Sequence, residues 1–184
     1  MRKILFVCSL VLGLLVAGNV LADTQNYSLV VPNVGLSVDP GPYATVVVNR
    51  ADPTHASVIF TSLTNGSLYY LFGDGSSAAV NVNGTATTGA IDGTASPSLS
   101  DPWFEAGTFS DAGAGNVSAF GSMSNIIDDN DGFKNATNHI FFSLTATGST
   151  TWANAASVLA SNNDNFLAAA HIFVWNMSSP PDQQ

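Results

Sequence analysis

The chain has 184 residues, only 9% of them charged, with 4 Lys or Arg set against 13 Asp or Glu for a formal net charge of −9. So few cations leave little to hold phosphate or anionic headgroups, which sets aside nucleic-acid binding and docking to acidic lipid. A single cysteine, Cys8, precludes an intrachain disulfide.

Residues 1–22 read as a targeting segment. Arg2 and Lys3 precede an apolar run from Ile4 to Val16, broken only by Cys8, Ser9 and Gly13, and Val20-Leu21-Ala22 follows with small or compact residues. That order predicts a secretory signal peptide cleaved after Ala22. The alternative, a membrane-anchoring helix, needs roughly 20 apolar residues, more than this run supplies. Cleavage would leave Asp23 to Gln184, with Arg50 and Lys134 against thirteen acids and a net charge of −11. Cys8 would go with the signal, leaving neither a thiol nucleophile nor a thiolate metal site. Such an acidic surface favours solubility and cation binding.

Beyond Asp23, apolar residues recur with period two, the signature of half-buried strands. Val46 and Val48 alternate with Thr45 and Val47, and Val58 and Phe60 with Ile59 and Thr61. Leu68, Tyr70 and Phe72 fall on one face, as do Ala78, Val80 and Val82 with Asn81 and Asn83 opposite. Ile140, Phe142 and Leu144 form the cleanest set, and Ile172 and Val174 close the series. Asn65-Gly66, Gly73-Asp74-Gly75-Ser76 and Asn83-Gly84 carry turn chemistry, and Asp92 to Pro102 reads as a longer loop. One segment departs from this pattern. Trp152, Ala156 and Leu159 lie at helical spacing, predicting a short helix or helical turn near 151–160, capped by Ser149, Thr150 or Thr151 and ended by Asn162-Asn163. Together these features predict an all-β, antiparallel β-sandwich or jelly-roll-like single domain over 23–175 and a disordered tail over 176–184.

Several stretches share phrasing with exported bacterial proteins: Gly121-Ser122-Met123-Ser124-Asn125, Asp131-Gly132-Phe133, Ile140 to Thr145, Trp152 to Leu159, Ala168 to Val174, and Tyr70 to Gly75 followed by Val80 to Asn83. Over roughly Val46 to Val174 the chain resembles the family that carries the PEP-CTERM sorting signal. The resemblance implies a β-rich surface or matrix component of bacteria that make exopolysaccharide. Such proteins end in a Pro-Glu-Pro motif, an apolar helix and a basic cluster. Here Ser178-Ser179-Pro180-Pro181-Asp182-Gln183-Gln184 stands instead, so the expectation is either release without an anchor or a chain cut short near Trp175. Asn-x-Ser/Thr sequons at Asn26, Asn65, Asn83, Asn116, Asn135 and Asn176 then read as by-products of an Asn/Ser/Thr-rich surface.

Two constellations suggest ligands. Asp128, Asp129 and Asp131, with Asn130 and Gly132, offer hard oxygen donors of the kind calcium prefers. The match to an EF-hand loop is partial, because Ile127 occupies the first ligand position and Asn138 the place of the bidentate Glu. The plainer alternative is a solvated acidic turn. Trp103 and Phe104, flanked by Asp101 and by Glu105, the sole glutamate, could stack on a sugar ring, against the alternative of an ordinary core pair. His55, His139 and His171 lack metal-motif spacing, although His139 and His171 each open an apolar run and could meet at one edge. Neither a nucleophile elbow nor a phosphate loop occurs, and Gly73-Asp74-Gly75 reads as a hairpin tip. The sequence thus predicts a secreted, non-catalytic extracellular component without a cofactor, or with calcium alone, partnered by extracellular polysaccharide or by itself. The alternative is a carbohydrate-binding module assisted by calcium. A hydrolase ranks last.

Overall fold

A computed structural model describes residues 22–36, 39–94, 108–130 and 136–176. Twelve strands are present among them: β1 (Asp23–Leu29), β2 (Ala44–Asp52), β3 (His55–Ser62), β4 (Thr64–Asn65), β5 (Leu68–Phe72), β6 (Ala78–Val80), β7 (Ala86–Thr94), β8 (Phe109–Asn116), β9 (Ser122–Asp129), β10 (His139–Ala146), β11 (Ala168–Ala169) and β12 (Ile172–Asn176). One layer is a five-stranded sheet in the order β1-β2-β3-β10-β7. The other combines β11-β6-β9-β8 with β12-β5-β4. The strand pairs in both layers are antiparallel, as expected for an all-β sandwich.

The period-two sets face inward as their spacing predicts. Val46, Val48, Val58, Phe60, Ile140 and Phe142 are fully buried in one cluster with Phe72, Val80, Ile127 and Trp152. Phe60 lies between two other rings, stacked on Phe142 at 6.2 Å and edge-on to Phe72 at 6.1 Å. Two smaller clusters cover the far face of the second layer. Ala79, Met123, Ile126 and Ala169 pack there with Phe120 and Phe166, and Leu71 packs with Ala136, Tyr69, Phe173 and Trp175. β5 is therefore buried on both faces, which its one-sided Leu68-Tyr70-Phe72 pattern does not reveal.

Five expectations need correction. Asp92 to Thr94, read as the start of a loop, are the last residues of β7 and pair with β10. Asn65 pairs with Leu68, so the two loop residues are Gly66 and Ser67, with Gly66 at φ 61° supplying the left-handed position. Gly73 to Ser76 is not a hairpin tip. β5 and β6 pair not with each other but with β12 and β11 in turn, and His171 N donates to the Ser76 carbonyl between them. The turn bends one long strand that runs beside another. The predicted helix is a single 3-10 turn, Ala155–Ser157, capped by Asn154 rather than by Ser149, Thr150 or Thr151. It stops there because the following backbone pairs sideways: Asn83 N donates to the Val158 carbonyl, and Val82 bridges Leu159. Finally, Asp128 and Asp129 are not in a turn; they are the last two residues of β9.

Trp152 and Arg50 tie the layers together at one end. The Trp152 indole N–H donates to the Asn83 carbonyl at 3.0 Å, and its carbonyl accepts from Arg50 Nε at 2.9 Å. Arg50 is only 3% exposed, and its Nη1 reaches Asp23 Oδ1 at 3.1 Å. The other oxygen of Asp23 accepts from Ala155 N at 2.7 Å. The first residue of β1 thereby joins a buried cation to the capped turn. Across the sandwich, at the side bounded by β7 and β8, the Phe109 ring lies over Gly93 so closely that no Cβ would fit.

Candidate functional site

Among the described residues the side bounded by β1 is open. A groove of about 570 Å3 lies there between the end of β1, a loop wall formed by residues 33–36 and 39–43, and the 165–174 segment. Tyr27, Leu29, Leu36, Leu167 and Ile172 give it apolar walls. That volume is in the range of ordinary ligand clefts. The loop wall is held by two tyrosines in edge contact at 5.1 Å. Tyr43 donates to the Asp39 carbonyl at 2.7 Å and Tyr70 to the Pro40 carbonyl at 2.6 Å. Burial raises the Tyr27 pKa, and burial followed by the charge of Asp39 raises that of Tyr70, so both rings stay neutral through the physiological range. At one end Phe120 meets Phe166 edge-on at 5.1 Å. Asn162 fixes both, donating to the Phe120 carbonyl and accepting from Phe166 N. At the rim, Val30 and Val31 are 57% and 54% exposed. Tyr70 and Ile172 enter strand patterns in the sequence, but the groove itself leaves no mark there, because its two walls come from segments about 140 residues apart.

Two of the three predicted calcium ligands, Asp128 and Asp129, face apart. Successive strand residues face opposite sides of a sheet. Asp129 shares the inward face with Ile127 and is 2% exposed, whereas the Asp128 carboxylate turns the other way and accepts from Ser76 N. Asp131 lies outside the described residues, as do Trp103 and Phe104 with Asp101 and Glu105. With two of the carboxylates facing apart, calcium and magnesium at matched ionic strength should raise the melting temperature equally, by screening alone. A larger rise in calcium, removed by Asp128→Asn, would overturn that expectation.

The histidines do not gather. His55 and His139 sit at opposite ends of neighbouring strands, opposite Thr145 and Thr61 of the same ladder. His171 belongs to the other layer, with Nδ1 3.2 Å from the Gly75 carbonyl and 3.8 Å from Asp74. Among the described residues no group of three His, Cys, Asp or Glu side chains could hold a metal ion. His55 instead belongs to the β2–β3 hairpin, where Asp52 accepts from Thr54 N at 2.7 Å and His55 N at 2.9 Å and pairs with the imidazole at 2.9 Å. The Thr54 N–H, then the His55 ring and the Thr54 hydroxyl, hold the Asp52 carboxyl well below the usual carboxylate range.

The outward face of the five-stranded sheet carries rows set by register. Val47, Ile59 and Phe141 align across β2, β3 and β10. On either side run Thr45, Thr61 and His139, and Asn49, Ser57 and Ser143. The face is thus an apolar row that meets Asp92 of β7 beside Phe141, set between hydroxyl and amide rows of which one ends in His139, and it bears neither a lysine nor an arginine. Among the described residues no helix is long and apolar enough to cross a membrane. Comparison with known proteins returns no matching family model, no similar curated protein and no similar solved structure.

Proposed function

We propose that the chain is an exported, non-catalytic component of the extracellular matrix or cell surface, in keeping with the PEP-CTERM-like phrasing of its sequence. The observation that carries this reading is the employment of its chemistry-bearing side chains. Asp23 pins a strand end to Arg50, Asp52 with His55 holds a hairpin, Asp128 fixes the Ser76 turn and His171 sits at the Gly75 carbonyl. In each case the group's partner belongs to the scaffold, while His171 also lines the groove beside β1 and Asp23 and His55 line a second, smaller recess. The outer rows of Thr, Ser and Asn, which hold neither lysine nor arginine, suit contact with neutral hydroxylated polymer. Export is further supported by the start of β1 at Asp23, the residue that cleavage after Ala22 would expose.

Intact-mass analysis of protein recovered from outside the producing cell tests the reading. The expected product begins at Asp23. A product that retains Met1 to Ala22, or material found only in the cytoplasm, would overturn it. Specific retention on an array of defined glycans would instead favour the carbohydrate-binding module.

A further inference from the structure

We propose that two copies of the chain join through the outer edge of β1, antiparallel and edge to edge, with the Val30–Val31 segment of each copy closing the groove of the other. This rests on the reading of the chain as an extracellular structural component and names the surface through which it associates.

The first ground is the free edge. Among the described residues β1 pairs with β2 alone. The Leu29 carbonyl points toward β2, where it accepts from Tyr43 N at 2.9 Å. Backbone groups alternate sides along a strand, so those of Thr24, Asn26 and Ser28 point away from β2. A second antiparallel β1 presents the same donors and acceptors in return. Edge strands that must stay single carry lysine, proline or a bulge. β1 has none of these: its register with β2 is unbroken, and its one charge, Asp23, is occupied by Arg50.

The second ground is shape. Val30 and Val31 are exposed hydrophobic side chains that continue directly from β1, and the groove opens beside the same strand. With the two-fold axis at Ser28, Val30 of one copy faces Asn26 of the other beside the Tyr27 wall of its groove, so the protrusion and the recess become mutually complementary, which is the requirement for an isologous interface.

The third ground is charge. A cleaved chain of net charge −11 repels its own copies across most of its surface. Among the described residues, and apart from its tyrosines, the groove lining has only Asp39 and His171 as ionisable residues, so joining here opposes no rows of carboxylates. The same lining offers little to attract a basic peptide. Of the outward groups of β1 the Asn26 carbonyl already accepts from Gln25 Nε2 at 3.1 Å; a small apolar molecule would leave the outward N–H groups without protein partners, whereas a second β1 supplies them.

Light scattering on the full exported protein, from low micromolar to millimolar concentration, reads the outcome as mass. The wild type should rise to twice the monomer mass. Ser28→Pro, which removes an outward N–H without taking a bond from the β1–β2 ladder, should stay at monomer mass across the range. Val31→Asp, a change at an exposed side chain, should do the same, and it decides the matter if far-UV circular dichroism shows that Ser28→Pro does not fold. Amide exchange at Thr24, Asn26 and Ser28 should slow only where the mass has doubled. A wild type that stays monomeric, or a folded variant that dimerises as the wild type does, overturns the proposal. So does slowed exchange at monomer mass, the signature of a small ligand or another segment in the groove. The extracellular reading fails separately, on the intact mass of the exported chain.

Discussion

Phe142→Ala is expected to lower the free energy of unfolding by about 3–5 kcal/mol, the usual range for truncating a fully buried ring. Phe142 has no exposed surface and sits in the middle of β10, the strand flanked by β3 and β7. Its ring stacks on Phe60, which in turn meets Phe72 of the opposite layer, so the cavity would open where the two sheets touch. Neighbouring strands anchor this backbone on both sides and limit collapse into the void. For a domain of this size the loss corresponds to a fall in melting temperature of about 6–20 °C. Urea denaturation with an unchanged slope and a lower midpoint would be the matching result. A midpoint equal to the parent's would show that Phe142 does not carry the contact between layers.

The second large effect is expected at Trp152, which is 1% exposed. Trp152→Ala should cost about 3–5 kcal/mol through the loss of a buried aromatic. Trp152→Phe keeps most of the volume but removes the indole donor to the Asn83 carbonyl. Because Asn83 is exposed and water can replace that donor, the phenylalanine variant should lose only about 1 kcal/mol. The gap between the variants separates packing from hydrogen bonding. Equal losses from both would mean that the indole N–H, not the ring volume, holds the segment in place.

Where one strand face is apolar and the other polar, the sequence could be read directly. Ile140, Phe142 and Leu144 alternate with Phe141, Ser143 and Thr145, and the buried set is the expected one. β8 gave no such signal, because Phe109 to Asn116 is built from Gly, Ala, Ser, Asp and Asn after its first ring, and small residues leave no periodic trace of burial. β1 was hidden for a similar reason, since Tyr27 and Leu29 are its only large apolar residues. The acidic run at Asp128 looked like a turn because charged residues usually mark one. Strand pairing with Phe109 and Ser110 overrode that local preference. The groove could not be foreseen at all, because it exists only after β1 and the 165–174 segment, distant in sequence, become the two lips of one opening. Asn154 was missed as the cap because the expected helix began at Trp152, which placed Asn154 inside it and the hydroxyls of residues 149–151 before it. Only its reciprocal bonds with Ser157 tell it apart.

The carboxylate of Asp23 and the amide of Ala155 that it accepts from are 132 residues apart in the chain. A polypeptide that emerges from its N-terminus, whether from a ribosome or through a translocation pore, presents Asp23 long before Ala155. β2 follows early and can dock β1 by its ladder and by the Arg50–Asp23 ion pair, but the second oxygen of Asp23 gains its amide donor only when the last quarter of the molecule arrives. The delay between the two bonds of one carboxylate is set by the rate of chain delivery, not by the strength of either bond.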